Sequence, residues 1–470
     1  MKTHEYDLLA IGGGTAGLVS VAGAAYLGVR SAIVEKTALG GDCLWTGCVP
    51  SKALIASARL AHAMRHADEL GLKSAAPRHA FADVMERMRR VRGVVELHDD
   101  PERFRNMGVD VHFGSARFVG RDTVEVEGVG RIRSKRIVIA TGALPVVPAI
   151  AGLADVGYLT HDTAFEQNSL PNRMILLGGG PIGLEFAQVY SRLGAQVQVV
   201  EMLPRILPKE DEDVASAVQA ILEDEGITFH LAAKVVRAES TDTGKAIIAE
   251  DGLRLEGDEI FVATGRRPAT GSLDLERAGV DTDRGGVVVD ATLRTSNRRI
   301  WAAGDVTGGL QFTHVAEYMA KTVLRNALLP GSQKVDYLNV PWVTYTDPEV
   351  ARVGMSQAEA EARGGRTYSY GFDDLDRAIV DGQTRGFVKI TADRKGKILN
   401  ATVLGAHAGE LLLPLVMAKK HGLSLAAVAG TVFPYPTMME GVKRTADAYQ
   451  RARLAGTGGR LLRKVISWLK

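Results

Sequence analysis

At 470 residues the chain has room for about three domains of roughly 150 residues each. Its 46% hydrophobic and 24% charged content is ordinary for a globular protein and excludes a disordered, collagenous or coiled-coil chain. Against 57 basic residues stand 55 acidic ones, a balance of +2 that offers no basic field to a nucleic acid backbone, so no nucleic-acid partner is expected.

The chain opens MKTHEYDLLAIGGG, where Glu5 and Asp7 replace the basic start of a signal peptide. No run of about 20 apolar residues follows anywhere. The expected location is the cytoplasm. Leu8 to Glu35 then reads as an apolar run, a glycine turn, a helix-length segment and a second β-branched run. That order predicts βαβ, the start of a parallel doubly wound sheet, and so an α/β fold. Gly12-x-Gly14-x-x-Gly17 opens the helix and Glu35 ends the second strand. Such glycines allow a tight turn and let backbone N–H groups reach a pyrophosphate, while the carboxylate accepts hydrogen bonds from a ribose.

Next comes GGDCLWTGCVPSK (Gly40 to Lys52), which holds the chain's 2 cysteines, Cys43 and Cys48. So few cysteines exclude a secreted disulfide scaffold and a four-cysteine zinc site. Gly47 can bend the backbone enough to bring the sulfurs within bonding reach. The dipole of a helix predicted over about Lys52 to His66, together with the Lys52 charge, would lower a thiol pKa. On spacing alone, a reactive dithiol and two inert buried thiols remain equal readings. A further helix is predicted around Phe81 to Glu96, and short strands broken by glycine from Val109 to Ile139 lead into IVIATGALP.

The opening pattern then recurs. Met174 to Glu201 aligns on Leu8 to Glu35 at an offset of 166 residues, repeating the three consecutive glycines, a Gly-Leu pair, a Leu-Gly pair and the closing Val-Glu. Its fingerprint is Gly178, Gly180 and Gly183, with Pro181 inside it and Glu201 at the end. IFVATGRRP (Ile260 to Pro268) echoes the earlier ATG, and IWAAGDVTGG (Ile300 to Gly309) follows. One glycine fingerprint is weak, but two in the same strand–helix context predict two dinucleotide sites, one for a resident flavin and one for an exchanging nicotinamide. Glu201 favours NADH, since a 2′-phosphate would meet its charge; Arg205 partly offsets this and leaves NADPH open.

After Pro341 strands and helices alternate without a glycine fingerprint. The expected organisation is a first dinucleotide domain over 1–150, a second over 151–270, a central segment 271–340 completing the first site, and an α+β interface domain over 341–455. A tail, 456–470, follows Gly456 to Gly459; at helical spacing Leu461, Leu462, Val465, Ile466 and Leu469 share a face, among Arg460, Arg463, Lys464 and Lys470. Trp468 included, it reads as a final helix docked on its own dimer or as a peripheral membrane contact. The scattered histidines (His4, His62, His66, His79) lack metal-ligand spacing, and no metal site is expected.

Taken in order, the two fingerprints, GGDCLWTGCVPSK, ATG at Ala140 to Gly142, ATGRRP, AAGD ending at Asp305 and PYPTMMEG resemble the class I pyridine nucleotide-disulfide oxidoreductases. The match runs over residues 4 to 450 and comes nearest to mercuric reductase-like members. The resemblance implies FAD in the first site, with Glu35 on its ribose, Asp305 near the ribityl chain, and the backbone at Ala116 and His314 close by. Lys36, Gly41, Asp42, Thr141 and Gly142 complete that side, and Gly265 and Arg266 join the nicotinamide side. Cys48 matches the flavin-facing sulfur of a redox disulfide and Cys43 the sulfur that meets substrate. Lys52 and Glu185 match an ion pair beside the flavin, and Pro181 sits where relatives gate nicotinamide access. A homodimer through the C-terminal domain is implied, with Tyr435 and Glu440 completing the partner subunit's active site.

The chain departs from the pattern at three places. Where lipoamide dehydrogenase and glutathione reductase carry a catalytic His, it has Tyr435, whose pKa near roughly 10 unfits it to cycle protons near neutrality. No cysteine follows Cys48, so the C-terminal pair that delivers mercuric ion is missing. Trp45 stands where relatives usually have Asn. The expected activity is therefore electron transfer from NADH, through flavin and dithiol, to a small acceptor such as a quinone, a metal ion or another electrophile. The alternatives are a dihydrolipoamide dehydrogenase-type enzyme and a slow-turnover redox-responsive binding partner.

Overall fold

The computed structural model describes residues 3–78 and 80–469; His79 and Lys470 lie outside it. Strand Leu8–Ile11 is buried at every position, as expected of an apolar run covered on both faces. It pairs in parallel with Ser31–Glu35 on one side and with Ile137–Ile139 on the other. Val109–Phe113 extends the first flank, and Ile300–Ala302 extends the second. The segment after residue 270 thus returns to finish the first sheet. Helix Thr313–Leu328 then packs on helix Thr15–Tyr26, where a Cβ on Gly23 would strike Leu324.

The second copy builds the same core. Arg173–Leu177 lies between Gln196–Val200 and Glu259–Val262, all parallel, with Thr228–His230 outermost. An antiparallel sheet of Val235–Thr241, Gly244–Ala249 and Arg254–Gly257 follows the second crossover. In both sheets the strand order reverses at the first strand, and the glycine turn sits at that strand's carboxyl end, where open α/β sheets bind ligands. A ribbon of Ala143–Pro145 with Arg266–Pro268 joins the two halves just past their ATG turns.

From Pro341 onward, 5 antiparallel strands form a separate sheet in the order Pro341–Thr344, Glu349–Gly354, Ile398–Gly405, Phe387–Ala392, Arg366–Gly371. Helices Ala408–Lys420 and Glu440–Ala455 cover it over a core that includes Phe372, Val388, Val403 and Leu415. One predicted boundary moves: the helix expected from Lys52 starts at Cys48 and runs to Arg65, because Pro50 is tolerated in a first turn. No helix among the described residues is long and apolar enough to cross a membrane.

Candidate active site

Gly12 and Gly178 turn out of their strands at φ +109° and +113°. Each presses on the ATG turn of its own half, so that a Cβ would run into the carbonyl of Ala140 or Ala263. Gly17 and Gly183 act one turn later, where a Cβ would collide with the Gly12 or Gly178 carbonyl; their absence of side chain lets helix and strand touch. Gly180, by contrast, faces open space, and a Cβ on Gly14 would meet only the Gly41 Cα, at 3.8 Å. The carboxylates that close each unit brace the turns: Glu35 accepts the Gly13 N–H at 2.7 Å and the Thr37 N–H at 2.9 Å. Glu201 accepts Gly179 N–H at 2.7 Å and Leu203 N–H at 2.8 Å.

Both turns open into one cavity of about 2360 Å³, more than twice the roughly 300–1,000 Å³ of a single small-molecule site. Its walls include Lys36, Gly41, Asp42, Lys52, Thr141, Gly142, Asp305 and His314 on one side, and Pro181, Glu201, Gly265 and Arg266 on the other. Glycine cradles at two helix starts, each with a ribose-facing carboxylate, fit two dinucleotides. Three of the residues expected at the nucleotide sites lie outside these walls. Gly17 and Gly183 are packed between helix and strand, and Ala116 is tied into an antiparallel pair with Val126.

The cysteines meet at the floor of this cavity. Gly40 and Gly41, at φ +105° and +59°, start the short helix Gly41–Trp45, and Gly47 leads into helix Cys48–Arg65. Cys48 is therefore the first residue of an 18-residue helix, in the positive field of its N-terminus. The structure presents both cysteines as free thiols, the reduced form of a redox pair. The Cys43 thiol donates to Cys48 sulfur, and this bond, with the Thr313 hydroxyl 3.5 Å away and the Lys52 charge, outweighs desolvation and brings Cys48 down to about 6. The same bond, with burial, pushes the Cys43 thiol strongly up.

Lys52 and Glu185 are brought together as expected, Nζ to Oε2 at 2.7 Å, with Glu185 only 7% exposed. The other Glu185 oxygen accepts the Tyr345 N–H at 2.9 Å, and the Lys52 ammonium lies 4.2 Å from the Tyr345 ring centre. Arg266 bridges the two halves of the cavity: it pairs with Asp42, lies 3.4 Å from Asp305 and donates to His161 Nε2 at 2.9 Å. Burial, and then the Arg266 charge, lower the pKa of His161, while burial raises that of Asp305. Trp45 donates its indole N–H to Leu39 carbonyl at 2.8 Å, under the Arg92 guanidinium.

Tyr435 and Glu440 do not reach the cavity of their own chain. Tyr435 is 68% exposed and its hydroxyl donates to Asp376 at 3.1 Å, which raises its pKa; Glu440 is buried at the start of the next helix. His421 is exposed at the end of its helix. Sequence reasoning missed Thr313, Tyr345, His161 and Asp376. Adjacency to His314 could have flagged Thr313; no local signal marks the others.

Residues 6–320 match the family model for pyridine nucleotide-disulphide oxidoreductases, and 340–446 match the dimerisation domain of the same proteins. The chain belongs to this family. Its members are FAD-dependent and use a pyridine nucleotide. It is 36% identical to a mercuric reductase of Bacillus cereus, over 94% of this chain and 71% of that one. To a dihydrolipoyl dehydrogenase of Bacillus subtilis it is 33% identical, over 94% and 98%. Among solved structures it is similar to the Cu(II) complex of the HOCl-induced flavoprotein disulfide reductase RclA from Escherichia coli, at TM-score 0.86 and 30% identity over 94% of this chain and 99% of that chain.

Proposed function

We propose that this oxidoreductase, acting in the cytoplasm as a homodimer, passes electrons from NADH through Cys48 and Cys43 to a small acceptor that is not a thiol disulfide: a quinone, a metal ion or another electrophile. The observation that carries the relay is the split between the two thiols: Cys48 near 6, at the cavity floor beside Lys52, and Cys43 held protonated against it. Bound FAD supplies hydride acceptance and delivery of two electrons to the cysteine pair. Cys48 is then left as the thiolate, held by Cys43, Thr313 and the helix terminus, while Cys43 keeps its proton and meets the acceptor. Lys52 and Glu185 fix the charge at this end of the cavity.

The NADH preference rests on Glu201, whose two oxygens accept backbone N–H groups at the turn where a 2′-phosphate would meet its carboxylate. Arg205 does not offset it, being turned to the Pro208 carbonyl at 3.1 Å. The acceptor class rests on Tyr435. With an anionic hydrogen-bond partner its proton is harder to release than an ordinary phenol's, so it serves poorly the leaving thiol of the partner subunit. The 33% identity to dihydrolipoyl dehydrogenase favours lipoamide as the second candidate acceptor.

Anaerobic titration with NADH tests the relay. A long-wavelength charge-transfer band should grow as two thiols appear; bleaching of the flavin with the thiol count unchanged would remove the cysteines from the path. A survey of quinones, metal ions and lipoamide then separates the acceptors. Turnover on lipoamide matching the best of them would favour the dehydrogenase reading, and none at all would leave a redox-responsive binding protein.

A further inference from the structure

Helix Thr457–Leu469 contributes no described residue to the walls of the cavity. Extended backbone at Gly456 breaks it from helix Glu440–Ala455, the Arg460 N–H restarts the ladder on the Gly456 carbonyl at 3.1 Å, and Arg463 reaches back to the Leu454 carbonyl at 3.1 Å. Beyond that tether its apolar side chains are uncovered: Val465 and Ile466 are each 45% exposed, Leu469 73% and Trp468 85%. At 3.6 residues per turn these four fall within an arc of about 160°. Arg460, Arg463 and Lys464 occupy the other side, all exposed, and no acid lies between Arg460 and Leu469. Arg451 and Arg453, exposed at the end of the preceding helix, extend the basic surface.

We infer that this helix lies in the interface of an anionic lipid bilayer, apolar face down and Trp468 at headgroup level. Charge decides the occupant. The whole chain carries only +2, so a run of cations without one acid is a local feature, complementary to anionic headgroups rather than to the balanced surface of a second copy. The segregation of faces, with basic residues flanking an aromatic and aliphatic stripe, is that of helices lying in a membrane surface. The inference is independent of which acceptor the enzyme reduces.

The test is flotation of the full-chain holoenzyme with vesicles of phosphatidylcholine alone or mixed with phosphatidylglycerol. Binding should require phosphatidylglycerol and weaken as added salt shortens the Debye length from about 10 Å to about 3 Å. A chain ending at Ala455, and the full chain with I466E and W468E, should each lose about tenfold or more of the lipid-bound fraction. Both should oxidise NADH at the full-chain rate, since the substituted side chains are exposed and form no part of the cavity walls. Equal flotation of all three chains overturns the inference. So does conversion of a dimer to a monomer on truncation without any lipid binding by the full chain, which would assign the face to the dimer.

Discussion

The ionisation of Cys48 can be read directly from its alkylation rate. With its pKa near 6, half of Cys48 is thiolate at pH 6, where an ordinary thiol near pKa 8.5 is only about 0.3% ionised. That advantage of roughly 150-fold is cut about tenfold because a thiolate of lower basicity is a weaker nucleophile, by 0.4–0.5 of each pKa unit. Reduced protein pulsed anaerobically with iodoacetamide should therefore be alkylated at Cys48 roughly tenfold faster than glutathione at pH 6. Near pH 9 the order should invert. Cys43, its thiol pushed up, should stay unmodified throughout. The causes rank the variants: Cys43→Ala should raise the midpoint most, Thr313→Val less, and Lys52→Met least. Glu185→Gln should lower it, because that carboxylate opposes the Cys48 charge. The two members of one ion pair thus move the same midpoint in opposite directions. A wild-type midpoint above 8, or one that Cys43→Ala leaves in place, would refute this account.

Lys52→Met leaves Glu185 charged, buried and short of a partner; breaking a fully buried pair costs about 3–5 kcal/mol, and with Lys52 about a third exposed we expect roughly 1–3 in urea unfolding. Most of that loss should return in Lys52→Met/Glu185→Leu, and a double variant as unstable as the single one would contradict the pair's reading. Gly17→Val, which forces a Cβ against the Gly12 carbonyl, should abolish flavin retention on purification; Gly183→Val should keep the flavin and raise KM for NADH. Equal flavin loss in both would mean that the two turns do not serve separate nucleotides. Tyr435→His should raise reduction of lipoamide by about 10²-fold or more, with a rate that falls as pH rises past about 6.5, and leave quinone or metal reduction unchanged. No gain on lipoamide would show that Tyr435 is not what limits disulfide exchange.

Much of this site was legible because its parts are local. A glycine turn followed by a helix, a carboxylate at a strand end, and two cysteines with a bend between them are each set within a few tens of residues. The repetition of the turn at Gly178 turned a weak signal into a strong one. Ala116 lies outside the cavity walls, paired with Val126, and that placement depends on strand pairing that no local pattern marks. Arg266 was legible as part of a motif, but not as the bridge from the second half to Asp42 and Asp305, which depends on how two sheets are set against each other. Tyr345 and His161 carry no local pattern. Asp376 is 59 residues from the tyrosine it holds, and only the fold of the last sheet brings them together.

The duplicated units differ most informatively where they cease to match. At the offset that superposes Gly12 on Gly178, Val19 falls on Glu185 and Tyr26 on Arg192. Val19 packs against the apolar core of the first half, and Tyr26 is 83% exposed. In the second helix the same positions carry charge and reach outward. Glu185 takes Lys52, while Arg192 pairs with Glu225 at 2.7 Å and with Asp347 of the last domain at 2.6 Å, and its carbonyl accepts from Arg65 at 2.7 Å. Both Lys52 and Arg65 belong to the helix that begins at Cys48. The residues the copies share build the glycine turns, and the residues they do not share fasten the second of these helices to the helix that begins at Cys48. A single βαβ unit needs neither charge to bind a dinucleotide. Their burial in pairs is understandable only if the second unit must also hold the cysteine helix and the last sheet in register with the cavity.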